Sequence, residues 1–239
     1  MNTLATTSPL NLRRFASAHA LESEVARDIA AQLARATADR GAAGLLVSGG
    51  HSPARLFEQL RTQALDWSRV SIALVDERWV EPTEAGSNER MLRETLLRDR
   101  GAAARFFGLK NSAPSPELGA AAAWSATAHL RRPVDVTVLG MGDDGHTASL
   151  FPGSPNLNSA LDLEAAAGCV GMWSPSAPHV RLSLNLRALL DSRQIYIFLL
   201  GEAKLRTYAA ACGPGPVEEM PIRAVLRQDR VPVEIVWAP

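Results

Sequence analysis

The sequence predicts a layered α/β fold, a mainly parallel central sheet flanked by helices. Three observations carry this reading: short apolar runs alternate with segments of helical period, the junctions are marked by glycine, proline or capping residues, and several apolar runs open directly into polar loops. Strands separated by helices pair in parallel through right-handed crossovers. In such sheets ligands bind outside the carboxyl ends of the strands.

After a short start, His19 to Arg40 places Leu21, Val25, Ile29 and Leu33 on one face of a helix that Gly41 stops. Gly44 to Val47 then reads as a buried strand, and Pro53 suits the start of a helix from Ala54 to Gln63. The pattern repeats: Val70 to Val75 is a strand, Asp76 to Val80 a polar loop, and Ser87-Asn88 can cap a helix from Glu89 to Arg98. Lys110 to Glu117 is loop-like and precedes an Ala-rich helix from Leu118 to Leu130. Val134 to Leu139 is the next strand and opens into Gly140 to Thr147. Further strands are expected at Gly168 to Met172, Val180 to Leu184, Arg193 to Leu200 and Val231 to Trp237, with helices at Asn185 to Leu190 and Glu202 to Ala211.

A single domain over 1–239 is expected, residues 1–12 forming a ragged start. Lys plus Arg and Asp plus Glu stand at 25 each, so no global field draws the chain to nucleic acid or an anionic membrane. Met1 to Ser8 is polar, and no run approaches the roughly 20 apolar residues of a membrane span. A cytoplasmic location is therefore expected; a monomer or weak homo-oligomer is also expected, on no residue pattern of its own. Cys169 and Cys212 lack disulfide or zinc-site spacing and are expected to be reduced and buried. No metal and no cofactor is expected.

The loops at 48–53, 76–80 and 140–147 all leave strands at the same end and can converge on one crevice. Gly49-Gly50 lets the backbone approach a ligand, the start of the next helix suits a phosphate, and Ser48 and Ser52 add hydroxyls. A tight turn with a helix cap is the plainer reading of that pair. No Lys follows as in a Walker loop. Gly140-x-Gly142-x-x-Gly145 follows a strand, but His146-Thr147 and Phe151-Pro152-Gly153 break the helix a dinucleotide fingerprint requires.

His146 in that loop can exchange a proton with water near neutral pH, and Asp144 or Asp143 could orient the ring. The plainer alternative is a turn capped by the acids, with His146 bound to a backbone carbonyl. Within Asp76-Glu77-Arg78 an inward-facing member is plausible, and Arg78 could stabilise charge developing on a carbonyl oxygen. Arg181 and Lys204 are candidate phosphate clamps, although such residues are more often surface cations. Trp79 and Trp237 read as packing residues.

Taken together, Ser48 to Pro53, Asp76 to Val80, Ser87-Asn88, Leu139 to Gly153, Arg181 to Leu184 and Gly201 to Lys204 resemble the ordered motifs of the 6-phosphogluconolactonases, over about Leu45 to Val225. The segment around His146 is highly specific. The resemblance implies a Rossmann-like fold shared with glucosamine-6-phosphate deaminases, and hydrolysis of 6-phospho-D-glucono-1,5-lactone by a carboxylic ester hydrolase. It implies His146 as general base, Asp144 as its orienter, Arg78 at the oxyanion and Asp76 beside them. Ser48, Gly49, Gly50, His51, Ser52, Arg181 and Lys204 would hold the phosphate. The family loop usually reads Ser-Gly-Gly-Ser-Thr-Pro, so the role of His51 is open. The deaminases of this fold carry a Glu shortly after the His, whereas Thr147 to Pro152 offers no acid. A third reading is an inert sugar-phosphate sensor, against which the retention of Asp144, His146 and Arg78 speaks.

Overall fold

The computed structural model describes residues 11–174 and 178–239. Seven strands form one sheet in the order β1 (Asn11–Arg14), β10 (Val233–Ala238), β9 (Ile195–Leu200), β6 (Val136–Leu139), β2 (Ala43–Val47), β3 (Val70–Leu74) and β5 (Arg105–Phe107). Every pairing in it is parallel. A second sheet, β4 (Asp76–Arg78), β8 (Arg181–Leu184) and β7 (Cys169–Met172), is antiparallel.

The helices are α1 (Ala18–Arg40), α2 (Ala54–Arg61), α3 (Asn88–Thr95), α4 (Pro116–Ala126), α5 (Leu157–Leu161), α6 (Leu186–Leu189), α7 (Glu202–Cys212) and α8 (Ile222–Leu226). Helix α1 begins where the Ser17 side chain accepts from Ala20 N and ends at Gly41, whose φ of 79° only glycine adopts without strain. Its predicted stripe, Leu21, Val25, Ile29 and Leu33, is wholly buried. Strand side chains alternate between the two faces. Thus Leu45, Val47, Ile72 and Leu74 pack towards α1 and α2, while Leu46, Ala73, Leu139 and Ile197 join the core with α5, α6, α7 and α8. Both faces of the sheet are covered, which explains the unbroken apolar runs.

From β2 the chain moves outward through β3 to β5, then returns to β6 on the other side of β2. The strand order therefore reverses between β2 and β6, and the crevice that such a reversal opens lies beyond their carboxyl ends. Ser48 to Ser52 leaves β2 there, and Gly140 to His146 leaves β6.

Several expectations need correction. Asp76 to Val80 is not a loop throughout, because Asp76–Arg78 forms β4. The chain kinks after β3, where Val75 donates to Val47 O and accepts from Leu184 N, and so passes into the second sheet. A charged triplet carries no apolar alternation by which to see this. The start is not ragged to residue 12, since Asn11 and Leu12 pair with Glu234 and Ile235; Met1 to Leu10 lie outside the described residues. The short elements β1, β5, α5 and α8 were not expected. The cysteines are free, but Cys212, at the end of α7, is exposed and Cys169 is only partly covered. Burial nevertheless pushes the Cys169 thiol up to about 12, so it stays protonated. Trp79 and Trp237 pack against the cores as expected.

Glu77 is wholly buried. One carboxylate oxygen accepts from Arg78 N at 2.7 Å and Asn88 N at 2.7 Å, the other from Glu89 N at 2.8 Å and the Ser87 hydroxyl at 3.0 Å. Burial pushes this carboxyl above its ordinary value, and the N–H groups of Asn88, Glu89 and Arg78 pull the other way. The side chain thus ties β4 to the N-terminus of α3. Glu77→Gln turns one half of an all-acceptor group into a donor facing donors. The expected cost is about 2–4 kcal/mol in denaturant unfolding at neutral pH; a loss under about 0.5 kcal/mol would remove this role.

Candidate functional site

The predicted crevice is a cleft of about 240 Å³ whose walls include Ser48 to Pro53, Asp76, Arg78, Asn88, Gly140 to Gly142, His146, Arg181 and Lys204. All three polar loops reach it. Of the predicted site residues, only Asp144 is not part of its wall, and it is bonded to His146, which is.

At the floor, Ser48 is fixed by its N–H to Val138 O at 2.9 Å, a bond between the ends of β2 and β6. A Cβ on Gly49 would stand 1.9 Å from Asn88 Oδ1, so the loop and α3 touch at a point where no side chain fits. Gly50 has φ of 94° and turns the chain towards α2, and Pro53, just before that helix, is the last residue of this loop in the cleft wall. His51 and Ser52 are exposed on the cleft rim.

Asp76 is buried. Its Oδ2 accepts from the Ser149 hydroxyl at 2.6 Å and lies 3.9 Å from Arg181 Nη1. Its carbonyl accepts from Asn88 Nδ2 at 2.9 Å. It therefore ties three segments together. Arg78 and Arg181 stand opposite each other in the β4–β8 register. Arg78 donates to Gly86 O and has no carboxylate partner among the described residues; Nε of each arginine is buried without a partner. Burial lowers the Arg181 pKa from its ordinary value, Asp76 opposes this, and Arg78 adds to it. Like charges facing across a strand pair repel, and an anion placed between them removes that cost.

His146 is set by its own loop. Its Nδ1 lies 2.5 Å from Asp144 Oδ1, the same oxygen that accepts the His146 backbone N–H at 3.1 Å. Burial works to raise the Asp144 pKa, but the bonds and charge of His146 outweigh it and hold the carboxyl below the usual range. Gly142 donates to His146 O at 2.8 Å, and a Cβ there would meet Nδ1 at 2.0 Å, so only glycine permits the fold of this loop. Nε2 has no partner among the described residues. Of the two acids left open by the sequence, Asp144 holds the ring; Asp143 pairs instead with Lys204 Nζ at 2.7 Å. As the sequence required, no helix begins after Gly145 until α5.

Sequence reasoning missed Asn88 as a wall residue, Ser149 as the partner of Asp76, and Phe151, whose ring lies 4.4 Å from that of His146. Ser87-Asn88 signalled the cap of α3 rather than the cleft, and Ser149 and Phe151 lay within the Leu139 to Gly153 motif with no role assigned to them. The left-handed φ of 49° at Ala148, in the same wall, has no signature in its residue type.

The family model described as glucosamine-6-phosphate isomerases/6-phosphogluconolactonase matches residues 16–237. A 6-phosphogluconolactonase of Rhizobium meliloti is 43% identical over 229 residues, covering 96% of this chain and 99% of its own. One from Pseudomonas aeruginosa is 45% identical over 215 residues, covering 90% and 89%. The crystal structure of a 6-phosphogluconolactonase from Shewanella baltica superposes with a TM-score of 0.94 at 46% identity, covering 97% of this chain and 99% of that one.

Gly49→Ala is expected to push Asn88 or the loop aside, because the added carbon meets a buried amide rather than a flexible side-chain end. Affinity for inorganic phosphate, read by calorimetric titration, should fall about tenfold, with a stability loss of about 1–3 kcal/mol. Parental phosphate affinity would show that this contact does not shape the anion site.

Proposed function

The chain belongs to the family of glucosamine-6-phosphate isomerases and 6-phosphogluconolactonases, and from that premise we propose that it hydrolyses 6-phospho-D-glucono-1,5-lactone to 6-phospho-D-gluconate, a step of the oxidative pentose phosphate pathway. The relatives reported above, alike along almost their whole length, carry the name of that hydrolase. The observation that carries the mechanism is one cleft wall holding both His146, braced by Asp144, and the cations Arg78, Arg181 and Lys204.

In this reading Nε2 of His146 takes a proton from a water molecule as that water attacks the lactone carbonyl. Asp144 keeps the proton of the neutral ring on Nδ1, leaving Nε2 as the base, and stabilises the imidazolium that forms. Arg78 offers its guanidinium to the oxyanion of the tetrahedral intermediate. Collapse of that intermediate breaks the bond to the ring oxygen, which receives the proton from His146. The base is thereby restored. Ser48 to Ser52 with Arg181 and Lys204 hold the 6-phosphate, so that binding energy far from the carbonyl positions it for attack. His51 stands in this loop on the cleft rim, and Asp76, in the cleft wall, braces Arg181 and the Ser149 turn that follows His146.

We further propose a cytoplasmic protein, monomeric or weakly self-associating, that serves a small molecule and not nucleic acid. The equal count of 25 basic and 25 acidic residues supports the absence of a nucleic-acid partner. Among the described residues no helix is long and apolar enough to cross a membrane.

The direct experiment generates the lactone enzymatically and follows 6-phosphogluconate through a coupled dehydrogenase against the spontaneous background. His146→Ala should lower kcat by about 10²–10⁴-fold, the usual worth of general acid–base assistance, and leave 6-phosphogluconate affinity nearly intact. Arg181→Ala and Lys204→Ala should mainly raise KM, since a phosphate contact exists in ground and transition states alike. Near-parental kcat in His146→Ala would remove the base from the mechanism, and an unchanged KM in both cation variants would move the phosphate elsewhere.

A further inference from the structure

Phe151 is 3% exposed, yet it belongs to neither of the two apolar cores that flank the main sheet. Its surroundings are the site itself. The ring centroid lies 4.4 Å from that of the His146 imidazole, with an interplanar angle of 43°. The guanidinium carbon of Arg181 lies 5.2 Å from the same centroid. The turn carrying Phe151 is held by Leu150 N to Thr147 O at 2.9 Å and by Ser149 to Asp76 at 2.6 Å, so the ring cannot retreat without dragging both contacts.

Neither neighbour is otherwise fully held. The His146 imidazole has one hydrogen bond among the described residues, at Nδ1, and Gly142 packs only against its Nδ1–Cε1 edge, so the Nε2 side of the ring needs another contact to fix its tilt. A flat neighbour set against it limits the tilt. Arg181 has Nε buried without a partner and its only carboxylate, among the described residues, at 3.9 Å. The face of an aromatic ring attracts a guanidinium more strongly where water is excluded.

We propose that Phe151 is a positioning residue for both ends of the substrate, one ring that fixes the tilt of His146 and seats Arg181, and so sets the distance between base and phosphate anchor. This rests on the reading of His146 as base and Arg181 as phosphate contact. A side chain that only filled space would be replaceable by any apolar group of similar volume. One that orients two functional groups would not be.

The test is a set of coupled variants in the lactone assay. Phe151→Met keeps the bulk and loses the ring; it should lower kcat and raise KM together, each by about tenfold, as a displaced base and an unseated cation require. Combined with His146→Ala it should cost less than twofold further in kcat, and combined with Arg181→Ala less than twofold further in KM, since residues acting through one another are not additive. Phe151→Leu serves as the second ringless variant if Phe151→Met folds poorly, with the same expectations. Parental kcat and KM in a folded ringless variant, or full additivity in both combinations, would overturn the role of Phe151. Near-parental turnover in His146→Ala alone would instead sink the reading on which it rests, and the two failures are read from different proteins.

Discussion

The site depends on a carboxylate that never touches it. A buried carboxylate costs several kcal/mol unless its lone pairs are met, and Glu77 meets them with Arg78 N, Asn88 N, Glu89 N and the Ser87 hydroxyl. Because successive strand residues point to opposite faces, sending Glu77 inward sends Asp76 and Arg78 the other way, to the wall of the cleft. The same bonds dock the start of α3, which carries Asn88 to the backbone of Gly49. One interior anion thus sets the positions of an acid, a cation and the phosphate loop.

Close backbone approach is the second constraint. At Gly49 the obstacle to a side chain is Asn88, at Gly142 it is the ring of His146, and in both places the absent carbon lets two functional segments meet. Such contacts make the site stiff. A general base is effective only when held within a few tenths of an ångström of its proton, and a loop threaded this tightly has few alternative packings. The fold contributes the crevice at the strand-order reversal between β2 and β6, and the glycines contribute the fit within it.

The long-period features were legible because they repeat along the chain. The α1 stripe, its Gly41 stop and the buried runs of β2, β3, β6 and β9 follow from apolar spacing and residue conformation alone. The family motifs directed attention to His146, Arg181 and Lys204. What stayed hidden is defined by neighbours remote in sequence: Asp76 bonds Ser149 across 73 positions, and β4 is a strand only because β8 pairs with it. Three charged residues have no periodicity to read. Exposure of Cys212 was equally invisible, since it reflects where α7 ends relative to the core.

The proposed function asks a chain with no net charge to favour a phosphorylated ligand, and local charge in the cleft can supply that. Twenty-five cations balance 25 anions overall, so no long-range field concentrates substrate. Inside the cleft the balance is broken on purpose: Arg78 has only a carbonyl for its Nη1, Arg181 faces it at the same register, and Asp76, their nearest shared acid, is already engaged by Ser149. Two guanidiniums held together and partly stripped of water raise the energy of the empty site. A phosphate or a developing oxyanion lowers it by the repulsion it relieves, without the side chains having to move. Lys204, more exposed and paired to Asp143 on the His146 loop, can exchange that partner for an arriving anion. Strain between fixed cations is the feature of this cleft that would select anions under the proposed function, and it needs no excess of positive charge elsewhere on the surface.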